Sequence, residues 1–141
     1  MTSSTEVDQI LTDRPHVRVI HHDPTLVDVI REALGDLPYE VMSTSPAPPD
    51  IQEIGASRPA LLVIDLVFMQ VSRWQLLARL QATPETRSIP VLLVSENEDL
   101  LRQAKSDEEQ FGGSGYLQLP FDSDELIATV RELIEGEPAR P

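Results

Sequence analysis

Cysteine is absent from the 141 residues, which excludes a disulfide framework, a thiolate metal cluster and a thiol nucleophile together. Positive charge is scarce: 11 Lys and Arg stand against 24 Asp and Glu, a formal net charge of -13. Such a surface repels phosphate backbones and anionic lipid, so neither direct nucleic-acid binding nor membrane association is expected. Long apolar runs are missing too, none approaching the roughly 18 residues of a membrane-spanning helix. Residues 1–14 hold Thr, Ser and Asp but no apolar stretch of a secretory signal, and read as a flexible leader. These absences together point to a cytoplasmic protein.

What is present suits one packed domain over residues 15–136, followed by a short tail, 137–141: hydrophobic residues make up 40% and charged residues 25%. His16 to His21 is short, β-branched and bounded by Pro15 and Asp23, as a buried strand would be. Asp23-Pro24 then opens a helix, with Leu26, Ile30, Ala33 and Leu34 at helical spacing and Gly35 as the stop. Tyr39 to Ser43 predicts a second strand, the proline-rich Ser45 to Pro49 a stiff loop, and Asp50 to Ser57 a weak helix. Ala60 to Asp65 is continuously apolar until its closing carboxylate, the signature of a central parallel strand covered on both faces.

Ser72 is placed to cap a helix through Ala82 with Trp74, Leu77, Ala78 and Leu80 inward, and Ile89 to Val94 predicts the next buried strand. Between Glu96 and Gln110 only Leu100, Leu101 and Ala104 are inward candidates, so that helix is expected to be thinly packed and mobile. Tyr116 to Leu119 reads as the last strand, ended by Pro120. A closing helix follows Asp122, with Leu126, Ile127, Val130, Leu133 and Ile134 as its apolar face and Glu125 completing a capping-box pattern. Gly112-Gly113-Ser114-Gly115 precedes a strand and reads as a turn, since a phosphate loop must open a helix. The acidic run Asp107-Glu108-Glu109 reads as a solvated face.

Alternating strands and helices imply a parallel α/β sheet with right-handed crossovers and helices on both faces. Ligands of such sheets bind beyond the carboxyl ends of the strands, which brings His21, His22, Asp23, Asp65 and Ser95 together. The series Val19-Ile20-His21-His22-Asp23-Pro24, Leu62-Val63-Ile64-Asp65, Ile89 to Ser95 and Gly115-Tyr116-Leu117-Gln118-Leu119-Pro120-Phe121 resembles the receiver domains of two-component response regulators. The likeness runs from about Val17 to Ile134, with every landmark in the family's order. It implies a flavodoxin-like, doubly wound sheet of order 2-1-3-4-5 and Asp65 as the acceptor of a phosphoryl group from a histidine kinase. It further implies Ser95 as the switch hydroxyl, Tyr116 as the rotating aromatic, and a Leu119-Pro120 bond of the kind that is usually cis.

Three departures from the family pattern stand out. His21 and His22 occupy the positions of an acidic pair that helps the phosphoacceptor hold Mg²⁺, a cation that demands oxygen ligands. Asp23 comes one place later and, with Asp65, is the remaining candidate ligand. Leu119 replaces a lysine that pairs with phosphoryl oxygens, and the loop Leu66 to Arg73 lacks the family's proline and glycine. By analogy with lost oxyanion donors, each defect in charge stabilisation costs about 3 kcal/mol, on the order of 10²-fold in rate.

The expectation is therefore a non-enzymatic signalling module. It is an atypical or pseudo-receiver working through contacts with a histidine kinase or a downstream signalling protein, with Mg²⁺ a weakened candidate cofactor and a homodimer left open. A slowly phosphorylated conventional single-domain regulator is the first alternative. A small metal-dependent α/β enzyme using His21, His22 and Asp65 is the second, and a flavin or nucleotide carrier on the same fold the third. Read without the resemblance, Asp65 and Ser95 are strand-end groups bonding local backbone, and Tyr116 is a half-buried core ring.

Overall fold

The computed structural model describes residues 15–21, 23–44, 51–67, 73–106 and 114–135. The expected leader, the Ser72 cap, the Gly112-Gly113 turn, the Asp107 to Glu109 run, the tail 137–141 and His22 all lie outside those residues. The elements run β1 (His16–Ile20), α1 (Pro24–Ala33), β2 (Glu40–Thr44), α2 (Ile51–Ser57), β3 (Leu61–Asp65), α3 (Arg73–Ala82), β4 (Val91–Ser95), α4 (Glu98–Ser106), β5 (Gly115–Gln118) and α5 (Ser123–Glu135). The sheet has the order β2-β1-β3-β4-β5 and every pairing is parallel. The expected architecture is thus the observed one.

Each strand's alternation divides its side chains between two cores. Val17, Val19, Leu61, Val63, Leu92 and Val94 pack with Leu26, Val27 and Ile30 of α1 and Leu126 and Val130 of α5. Ile20, Leu62, Ile64 and Leu93 pack with Ile54 of α2, Leu77 and Leu80 of α3, and Leu101 and Ala104 of α4. β3 and β4 are buried at every position, which is why they read as unbroken apolar runs. Among the described residues, no helix is long and apolar enough to cross a membrane.

Several boundaries move for identifiable reasons. β4 begins at Val91 and not at Ile89: Ile89 N–H donates to Thr86 O at 3.0 Å in a turn, and Pro90 has no N–H to offer. Thr86, buried in that turn, donates its hydroxyl to Leu80 O at 2.7 Å. β3 begins at Leu61, one residue later than expected, while β2 and β5 are displaced by one. In α3 the buried leucines are Leu76, Leu77 and Leu80, with Trp74 and Ala78 only half-buried. α4 turns Leu101 and Ala104 inward as expected, and its start is fixed by Asn97, whose Oδ1 accepts from Asp99 N at 2.9 Å and Leu100 N at 3.3 Å. Asp122 begins α5 by accepting from Asp124 N at 3.2 Å.

Candidate functional site

The carboxyl ends of β1, β3 and β4 meet at one edge of the sheet. The β1–β3 ladder runs to Ile20 opposite Ile64, and the β3–β4 ladder to Asp65 opposite Val94. His21 and Ser95 therefore lie one residue beyond those last pairs, flanking Asp65. Asp65 is 3% exposed, and its Oδ1 accepts from Val67 N at 3.0 Å, which ties the carboxylate to the turn that follows β3. The remainder of that loop, residues 68–72, is outside the described residues.

Ser95 is fully buried, and its Oγ accepts from Asn97 N at 2.9 Å, a local turn bond of the kind the residue type favours. Its carbonyl accepts from Leu119 N at 2.9 Å, so the segment after β5 is anchored to the end of β4. Tyr116 stands opposite Leu93 and packs against the core shared with α2, α3 and α4. The Lys105 ammonium lies 5.3 Å from its ring centroid, within cation–π range. Strand alternation turns Ser95 to that same side of the sheet, the side occupied by Leu93.

His21 and Leu119 mark two of the three departures from the family pattern, and Asp23 adjoins the first. His21 is 3% exposed and neither ring nitrogen has a hydrogen-bond partner among the described residues. Asp23 caps α1, with extended backbone and its Oδ1 accepting from Thr25 N at 3.0 Å. Leu119 is half-buried against the α1–α5 core and is followed by a cis peptide bond to Pro120. A cavity of about 400 Å³ opens beside Asp65, with Asp23 and Glu96 as further carboxylates on its wall. Leu26, Val29, Leu119 and Phe121 form its apolar side. A larger opening of about 770 Å³, with Arg58, Glu85 and Arg87 on its wall, lies at the opposite end of the sheet, away from Asp65.

Of the residues expected at this edge, Asp23, Asp65 and Leu119 are on the wall of one cavity, while His21 and Ser95 are not among its described lining residues. Sequence reasoning missed Glu96, Val29 and Phe121 as parts of that cavity. For Glu96 a signal existed, since it directly follows the hydroxyl that ends β4. Among the described residues no three His, Asp or Glu side chains form a group able to hold a metal ion. Mg²⁺ keeps several of its waters and needs only one or two carboxylates from a protein, which Asp65 and its neighbours Asp23 and Glu96 on the cavity wall could supply.

Comparison with known proteins supplies the deciding observation: residues 17–131 match the response regulator receiver domain family. This chain belongs to that family. It is accordingly a receiver module of two-component signalling. The receiver is 28% identical over 120 residues to the DNA-binding dual master transcriptional regulator RpaA of Synechocystis, covering 85% of this chain and 49% of that protein. It is 28% identical over 134 residues to the hybrid signal transduction histidine kinase D of Dictyostelium discoideum, covering 91% of this chain and 8% of the kinase. The chain thus spans half or less of the length of these relatives. The receiver domain of the Pseudomonas aeruginosa sensor histidine kinase PA1611, whose structure has magnesium in its active-site cleft, shares the fold. Its TM-score is 0.71 at 19% identity, covering 86% of this chain and 98% of that one.

Proposed function

We propose that this receiver is an atypical one, signalling through protein contacts with weak or no Mg²⁺-dependent phosphorylation at Asp65. The observation that carries the reading is Leu119, an alkyl side chain on the wall of the Asp65 cavity where the family's lysine would stand. His21, buried and without a hydrogen-bond partner among the described residues, stands in place of a carboxylate and supports it. Phosphoryl transfer depends on charge stabilisation, and both changes remove some of it. On this reading the chain has no enzymatic activity of its own and works in the cytoplasm. A histidine kinase or a downstream signalling protein contacts the Ser95 and Tyr116 side of the sheet and α5.

Incubation with acetyl phosphate and Mg²⁺, followed by intact-mass measurement, tests the proposal. The expected result is no gain of mass. Gain of one phosphoryl group that disappears in Asp65→Asn would replace it with the second reading, a slowly phosphorylated conventional regulator, which the placement of Asp65, Ser95 and Tyr116 favours. A metal-dependent enzyme would instead carry stoichiometric transition metal after purification, and absence of zinc affinity in metal-free protein would dispose of that alternative.

A further inference from the structure

The cavity beside Asp65 has a composition suited to a ligand other than a phosphoryl group. Its volume, about 400 Å³, lies within the range of ligand pockets, roughly 300–1,000 Å³. Val29 on its wall is 43% exposed, one of two large hydrophobic side chains left so open among the described residues. Leu26, Leu119 and Phe121 continue that apolar surface. Around it stand Asp23, Asp65 and Glu96, and no Lys, Arg or His is among the described lining residues. The Glu96 carboxylate has no hydrogen-bond or ion-pair partner among the described residues. A dianion arriving without a cation would meet repulsion here. An alkyl stem ending in a cation would satisfy both halves of the wall, the stem against the apolar side chains and the head on the Glu96 carboxylate at the rim.

We propose that this cavity receives a lysine or arginine side chain presented by a partner protein. Apolar wall and carboxylate rim are joined in one opening, and Leu119 leaves space and negative charge where a lysine of the chain itself would otherwise lie. The inference rests on the atypical-receiver reading and names what the altered site binds. It selects basic partners, in keeping with the net charge of -13.

The test is a titration of the ¹⁵N-labelled chain, followed by amide NMR shifts, with Nα-acetyl-lysine methylamide and with its uncharged counterpart Nα-acetyl-norleucine methylamide. The lysine compound is expected to shift the amides of Thr25, Val29, Val67, Leu119 and Phe121 saturably. The norleucine compound should bind roughly tenfold more weakly, the factor a charge-assisted hydrogen bond supplies. Glu96→Gln should weaken the lysine compound alone, and Leu119→Lys, checked as folded from its own spectrum, should abolish its binding. Equal affinities for the two compounds, shifts confined to other surfaces, or undiminished binding in folded Leu119→Lys would each overturn the proposal. Acetyl phosphate labelling of the same sample separates the two readings. A phosphoryl gain defeats the atypical receiver, whereas failed lysine binding without such a gain defeats only the pocket.

Discussion

Arg18 offers the most quantitative test of how the fold is held. It lies in β1 between Met42 of β2 and Leu62 of β3, and only 7% of it is exposed. Its Nη1 donates to Glu53 Oε2 at 2.9 Å and to Ser57 Oγ at 3.1 Å, while Nη2 donates to Glu53 Oε1. Both acceptors are on α2, so this forked contact fastens a short helix to the sheet. Removing Glu53 takes two carboxylate hydrogen bonds from a largely buried guanidinium, a loss of about 3–5 kcal/mol when both partners are buried. Here the Glu53 side chain is 54% exposed, so water screens the pair, and Glu53→Ala should destabilise by about 1–2 kcal/mol. For a domain of this size that lowers Tm by about 3–8 °C.

Arg18→Leu removes the charge together with its need for a partner and should stay within about 1 kcal/mol of the parent. In the Arg18→Leu background, Glu53→Ala should then have almost no effect. Chemical denaturation of the four proteins gives the coupling directly. A coupling below about 0.5 kcal/mol would refute the argument. The hydrogen bond from Arg18 also holds the Glu53 carboxyl below its ordinary value of 4.5. A carboxyl depressed by folding contributes stability that is complete above the unfolded value and lost as pH falls through the folded one. Glu53→Gln should therefore flatten the acid limb of the stability profile.

Three further outcomes are expected. Burial, reinforced by Arg18, holds His16 below its ordinary 6.5, so the unfolded chain takes up the proton first; stability should fall as pH drops below about 6.5, and His16→Gln should reduce that slope in urea titrations. A Cβ at Gly55 would lie 2.8 Å from Glu85 Cβ, close to backbone with little room to yield, so Gly55→Ala should destabilise by about 1–3 kcal/mol despite its better helix propensity, as read by thermal melting. Under the atypical-receiver reading, His21→Asp/His22→Asp/Leu119→Lys should gain one phosphoryl group from acetyl phosphate and Mg²⁺ where the parent gains none; failure of that folded triple variant would mean that these positions are not what limits the site.

Pattern alone was informative wherever one physical demand dominated. β3 and β4 were legible because strands covered on both faces admit little but apolar side chains. The starts of α1 and α5 were legible because Asp23 and Asp122 meet a local backbone need within two residues. Val27 and Leu76 were not recognised as core because the width of a buried helical face depends on what packs over it. Arg18 was a charged residue in an apolar strand whose partner is 35 positions away, a separation no local period encodes.

By itself, then, the sequence determined the alternation of elements, the ends of the central strands and the order of Asp65, Ser95, Tyr116 and Leu119 along the chain. Only the tertiary structure decided that Leu26 and Val29 of α1, Glu96 after β4 and Phe121 after β5 share one wall with Asp65. The reason is physical: parallel crossovers carry the chain away from the sheet edge and return it there, so a cavity at that edge gathers residues remote in sequence.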